Sequence, residues 1–314
     1  MMVIGFLSAV YLIRHLSKNI TLNPNLITNA ALYSLIAGLL GARLFYVIHY
    51  FDQFRGNMLS VFAIWEGSGE LLGGVVAAIL VIFFYLKYHK LPIRHYLDIL
   101  AIALMLALMF GRVGCFLSGC CFGKPTNVPW GVRFPYGSRP YRSQMYPDLE
   151  RGRHQPHLNL PTDFFGYYNE AGQWIQDLKP FSLLTEEQKK GVRSGPYRCV
   201  PVHPTQLYSS ASAAVCCLIL YLFWRRSQRY SRTRWLHISD PKRARKLFTK
   251  PGSTFGLMFV LYGTMRFFME FFRDDNPFEF NGLTVSQNIG IGLFIWGAVL
   301  MIIIEKIRPE VVSR

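Results

Sequence analysis

The chain has 314 residues, of which 51% are hydrophobic and 17% charged, with a mean hydropathy of +0.22. Its formal net charge of +16 invites a nucleic-acid reading. No basic-plus-aromatic binding module accompanies that charge, so nucleic acid is excluded as a partner. The modest mean also conceals several apolar stretches about 20 residues long, the length a helix needs to cross a hydrocarbon core.

In chain order the apolar stretches are residues 1–13, 29–50, 71–88, 95–116, 206–224, 252–272 and 285–305. The first is short, and its basic residues Arg14, His15 and Lys18 follow the apolar run. A signal peptide carries its charge before that run, so residues 1–13 read as a retained helix. In lipid each backbone polar group must be satisfied within its own segment, which selects helices. Alternation with period two, the mark of a membrane barrel, is absent. The expected fold is all-α: a polytopic membrane bundle of about seven helices, with residues 1–314 as one membrane domain.

Loop charges orient that bundle. Short loops rich in Lys and Arg stay in the cytoplasm. Residues 225–251 form the decisive one, with Arg225, Arg226, Arg229, Arg232, Arg234, Lys242, Arg243, Arg245, Lys246 and Lys250 against Asp240 alone. The next loop is acidic, with Asp274, Asp275 and Glu279. Seven spans then place the N-terminus outside and the C-terminus in the cytoplasm. The long loop 122–205 falls outside, rich in Pro, Gly and Tyr, with an amphipathic middle at 168–184. It is the one stretch able to form a small head insertion.

Ionisable residues within membrane helices cost about 2.5–3.5 kcal/mol by insertion scales, and they mark functional sites by default. Arg43 lies in Gly41-Ala42-Arg43-Leu44-Phe45-Tyr46, and Arg112 in Gly111-Arg112-Val113-Gly114. Tyr262, Arg266, Glu270 and Arg273 fall within an arc of about 80° on one helix face. A neutralised Arg266–Glu270 pair that locks helices together, with Arg43 and Arg273 reaching the interface, is the plainer alternative. It leaves the set unexplained, because four arginines face a single carboxylate. An anion fits the excess, and a phospholipid phosphate suits the guanidinium fork.

Two further motifs stand at the outer ends of helices. Gly111–Thr126 leaves a helix through a Gly-rich turn that includes Gly123, and His203-Pro204-Thr205-Gln206-Leu207-Tyr208 opens the next helix. With Gly41–Tyr46, the Gly73-Gly74 pair and Tyr262–Arg273, these resemble the prolipoprotein diacylglyceryl transferase family along nearly the whole chain. The resemblance implies seven membrane helices, a periplasmic head and a place in the bacterial inner membrane. It also implies transfer of a diacylglyceryl group from phosphatidylglycerol to the lipobox cysteine of preprolipoprotein signal peptides, with no cofactor and as a monomer among membrane lipids.

Carried onto this sequence, the resemblance gives catalytic roles to Arg112, Arg266, Glu270 and His203. Arg112 and Arg266 hold the phosphate, Glu270 orients an arginine or the headgroup, and His203 takes the thiol proton. Arg43, Gly123, Gln206, Tyr208, Tyr262 and Arg273 line the substrate site.

The chain departs from the family where Cys115, Ser118 and Cys120 replace two asparagines and an acidic residue, and where Leu72 replaces a histidine. It also begins as if partway through the usual first helix. Cys115, Cys120 and Cys121 lack the paired spacing of structural zinc sites, so no metal is expected. A disulfide from Cys199 to Cys120 or Cys121 is one reading, and free packing cysteines are another.

Overall fold

The computed structural model describes all residues except 19, 21–22, 24, 55–59, 62–69, 237–247, 275–277, 281 and 308–314. Its helices are α1 (Met2–Ser17), α2 (Asn25–His49), α3 (Phe51–Phe54), α4 (Leu71–Tyr88), α5 (Ile93–Ser118), α6 (Arg139–Gln144), α7 (Glu186–Arg193), α8 (Thr205–Leu236), α9 (Ser253–Glu270) and α10 (Val285–Lys306). Two antiparallel hairpins interrupt the helices: β1 (Phe165–Tyr168) with β2 (Trp174–Leu178), and β3 (Phe278–Phe280) with β4 (Leu283–Thr284). The structure is mostly helical, as expected of an all-α bundle, and these short strands are its departures from that expectation. The first hairpin lies in the stretch 168–184 and just before it, where amphipathicity arises from a turn between short strands.

Among the described residues, four helices are long and apolar enough to cross a membrane: α2, α5, α8 over Thr205–Gln228, and α10. Met2–Ser17 and Leu72–Tyr88 are apolar but shorter. The expected sixth span, α9, carries Arg266 and Glu270 inside its apolar run, which lowers its hydropathy. Apolar side chains cover the outer faces; Leu39, Leu40 and Leu44 of α2 are each more than half exposed. A stripe of that kind suits hydrocarbon as its solvent. Helix α8 also runs to Leu236, so the expected basic loop begins as helix, and residues 237–247 of it lie outside the described residues.

The chain divides into two compact units. One comprises Phe6–Leu104, Leu218–Met258 and Val299–Arg314. In it α2 and α4 pack backbone to backbone: a Cβ on Gly41 would meet Gly73 O at 2.7 Å. Small residues allow such contact where lipid offers no hydrophobic drive to association. The buried Asp98 of α5 accepts from Gly252 N at 2.8 Å and Phe255 N at 2.9 Å, capping the start of α9.

The other unit comprises Met1–Gly5, Met105–Cys217 and Phe259–Ala298. The residues between α5 and α8 pack around Phe134, Tyr141, Phe164, Leu178 and Val202, and Phe116 at the end of α5 packs against this core. Helix α7 begins with a capping box between Thr185 and Gln188. Helices α9 and α10 meet at two glycines, where a Cβ on Gly263 would lie 2.5 Å from Gly290 O. That crossing stands one turn from Arg266 on α9 and one turn from Ser286 on α10.

Candidate active site

The polar face of α9 forms the centre of the second unit. Glu270 is buried, with its side chain 1% exposed, and its Oε2 lies 3.4 Å from Arg266 Nη2 and 4.0 Å from Arg273 Nε. Arg266 Nη2 also donates to Ser286 Oγ on α10. Arg112, Arg273 and Tyr262 all act electrostatically on the Arg266 guanidinium. Arg266 and Arg273 therefore share one carboxylate, and Arg112 lies near enough to act on Arg266. Arg112 Nε is buried and has no hydrogen-bond partner among the described residues. A buried donor of that kind is rare in native structures, and it suits an anionic ligand.

The loop after α5 is held against this face by backbone contacts. Gly123 forms a bridge with Arg273, and its N–H donates to His203 O at 3.2 Å. Lys124 N donates to Phe272 O at 2.8 Å, and Asp274 N to Phe122 O at 3.3 Å. A Cβ on Gly123 would come within 2.5 Å of His203 O and 2.8 Å of Phe272 O. No side chain fits there, so the glycine is what lets three chain segments meet. From α8, Gln206 Nε2 donates to Cys120 O at 2.6 Å and Thr205 Oγ1 to Cys121 O at 2.8 Å. Gln206, expected at the substrate, is engaged in holding this loop, while its buried Oε1 lacks a partner among the described residues.

His203 and Tyr208 form a second cluster. Tyr208 Oη accepts from Trp130 Nε1 at 2.6 Å and lies 3.3 Å from His203 Nδ1. The His203 ring also meets the edge of Phe272, with centroids 5.5 Å apart. No hydrogen bond among the described residues joins His203 to Arg112 or Arg266. The aromatic edge and Tyr208 place the imidazole beside the Gly123 bridge.

The sequence profile of the prolipoprotein diacylglyceryl transferase family matches residues 1–303. The chain belongs to this family. It is similar to proteins named phosphatidylglycerol–prolipoprotein diacylglyceryl transferase in several bacteria. The Clostridium tetani protein is 26% identical over 313 residues, covering 99% of this chain and 93% of its own length. That of Xanthomonas euvesicatoria is 28% identical over 276 residues, 86% of this chain and 72% of its own length. A Synechocystis relative reaches 32% over 125 residues, 40% of this chain and 44% of the relative.

Within this diacylglyceryl transferase family member, Arg43 belongs to the first unit. It is buried, donates from Nε to Val61 O at 3.0 Å and from Nη2 to Ser60 O at 2.5 Å, and faces the rings of Phe54 and Tyr46. The expected link from Cys199 to Cys120 or Cys121 is not formed. Cys199 is a free thiol in the core between α5 and α8, with Sγ 3.5 Å from Gln144 Oε1.

Several residues of this transferase escape a reading of the sequence. Ser286 partners Arg266 from another helix, and Trp130 reaches Tyr208 across 78 positions. Arg153 donates to Asp274 at 3.1 Å and to Ser143 O at 2.7 Å, with Asp148 at 4.0 Å. That nearly buried pair fastens the head to the chain leaving α9. A cavity of about 390 Å³ lined by Arg133, Tyr136, Phe181 and Arg193 lies in the head and shares no residue with the arginine cluster.

Proposed function

We propose that this chain transfers the diacylglyceryl group of phosphatidylglycerol to the lipobox cysteine of preprolipoproteins, forming a thioether and releasing glycerol phosphate. The Glu270 carboxylate shared by Arg266 and Arg273, with the unpartnered buried Nε of Arg112 close to Arg266, carries this reading, together with membership of the family. The acceptor sulfur attacks the glyceryl CH2 carbon, and the C–O bond to phosphorus breaks. The electron pair leaves on the phosphate oxygen, and the thiol proton ends on His203 or on the departing phosphate.

Arg112 and Arg266 stabilise the anion that develops on the leaving group, where fixed donors act most strongly. Glu270 fixes Arg266 and Arg273, while Tyr262 and Tyr208 complete the polar wall. Gly123 and Gln206 keep the loop closed over the site. Arg43 supports the fold of its own unit by binding two carbonyls. The chain crosses the bacterial inner membrane seven times through α1, α2, α4, α5, α8, α9 and α10. Its N-terminus and head insertion lie outside, and its basic loop and C-terminus in the cytoplasm, in keeping with the alternation of loop charge.

Expression in cells depleted of their own transferase tests the activity. The intact chain should restore lipoprotein maturation, and Arg112→Ala and Arg266→Ala should abolish the rescue. An inserted, folded chain that fails to rescue defeats the proposal, and rescue by both variants removes the arginines from the mechanism. Reporter fusions after α8 and at the C-terminus check the orientation.

A further inference from the structure

The cysteines do not match the family pattern, and the fold gathers them. Cys115, Cys120 and Cys121 place their three sulfurs within 4.8 Å of one another. Helix α5 ends at Ser118, Gly119 turns with φ +68°, and Cys120 N donates back to Cys115 O at 3.1 Å. Cys121 then adopts φ +54°, a left-handed conformation uncommon for a side chain of this type. Thr205 and Gln206 hold the carbonyls of Cys121 and Cys120 in that arrangement. Spacing along the chain gave no metal pattern because Cys-x4-Cys-Cys is not paired; the turn makes it a three-sulfur cluster.

A disulfide needs two of these thiols and leaves the third without a purpose. A tetrahedral Zn2+ site with Zn–S near 2.3 Å needs sulfurs roughly 3.8 Å apart, a small adjustment from their present separation. The three thiols are partly exposed, so an ion can reach them. Three protein ligands and one open position is the arrangement of catalytic zinc sites.

We propose that Cys115, Cys120 and Cys121 bind a divalent thiophilic ion, best matched by Zn2+, and that its fourth position takes the acceptor cysteine one helical turn from Arg112. The second half rests on the transferase reading; the binding of the ion does not. With the ion bound, coordination replaces His203 and the phosphate as the route for the acceptor's proton, releasing it to solvent and leaving a thiolate at neutral pH. That sulfur attacks the glyceryl carbon as the C–O bond breaks toward phosphate, and the thioether, a weaker ligand, leaves the ion.

The full chain, purified in detergent, reduced and stripped with chelator, is titrated with Co2+. One equivalent should bind with intense sulfur-to-cobalt absorption in the near ultraviolet, and one equivalent of Zn2+ should displace it. A lipobox peptide should shift the visible cobalt bands, and its Cys→Ser counterpart should not. Cobalt that binds without sulfur absorption, or an unchanged spectrum in Cys120→Ser, overturns the site. Should that variant fail to fold, the wild-type spectrum decides alone. Sulfur-bound cobalt with no response to the peptide overturns the acceptor role. A parallel assay with labelled phosphatidylglycerol separates the two ideas. Equal transfer by stripped and zinc-loaded protein sinks the metal and keeps the transferase, whereas no transfer by either form strikes the transferase reading.

Discussion

Arg266 Nη2 stands 3.4 Å from Glu270 Oε2, one turn along α9, and that carboxylate is almost wholly buried. Arg273 approaches the same oxygen at 4.0 Å. Glu270 thus restrains two guanidinium groups without neutralising both, and the surplus charge is what a phosphate would meet.

Glu270→Gln should therefore damage both the fold and the activity. Removing one partner of a buried ion pair costs about 3–5 kcal/mol. Arg266→Lys separates the two effects: charge is kept and the planar fork is lost. Its melting temperature in detergent should stay near wild type. Its kcat/KM should fall roughly 10–150-fold, the loss of about 1.5–3 kcal/mol from a charged hydrogen bond. An unaltered kcat/KM in Arg266→Lys removes that fork from the transition state.

Gly123→Ala tests the junction of three chain segments. The added methyl meets two backbone oxygens, neither of which rotates away. We expect about 1–3 kcal/mol of destabilisation, as for overpacking elsewhere. Thermal unfolding that matches wild type shows that the junction yields more readily than these contacts imply.

The pair of Arg153 and Asp274 makes a third prediction. Both side chains are nearly buried, so Arg153→Ala should cost about 3–5 kcal/mol, and Asp274→Ala less, because Asp148 still approaches Arg153 at 4.0 Å. The double variant should cost less than the sum of the two, and a double-mutant cycle measures the coupling. Additive losses deny a direct interaction.

Cys199 offers a pH test. Burial raises its pKa above the ordinary thiol value, despite hydrogen bonds and the Arg133 charge, which lower it. At pH 8 the folded thiol is protonated and should alkylate far more slowly than in urea. The rate should climb only as pH passes above the usual thiol range. Mass mapping without reductant should find Cys199 unpaired, and a link to Cys120 or Cys121 contradicts the packing described above.

How much of this could be read from the sequence depends on the range of each interaction. The helices and the face of α9 were legible because apolar runs and the offsets from Tyr262 to Arg273 are local patterns. Arg266–Glu270 was legible for the same reason. Ser286 carries no such mark: a serine near a helix start resembles many others, and only the crossing of α9 and α10 brings it to Arg266. Arg153 and Asp274 lie 121 positions apart in segments without regular structure. The grouping of Cys115, Cys120 and Cys121 was not legible in their spacing, because left-handed turns at Gly119 and Cys121 bring the sulfurs together. The first hairpin was not legible in the sequence, where the stretch 168–184 read only as amphipathic.

The glycines at the crossing of α9 and α10 have a consequence for how this protein can change. Gly263 and Gly290 set the gap between the two helices, and that gap fixes whether Ser286 reaches Arg266. A methyl group added at either position acts as a wedge on α10, transmitted to the guanidinium without touching any polar residue. The two positions therefore share one tolerance, and a larger side chain at one demands a matching retreat across the crossing.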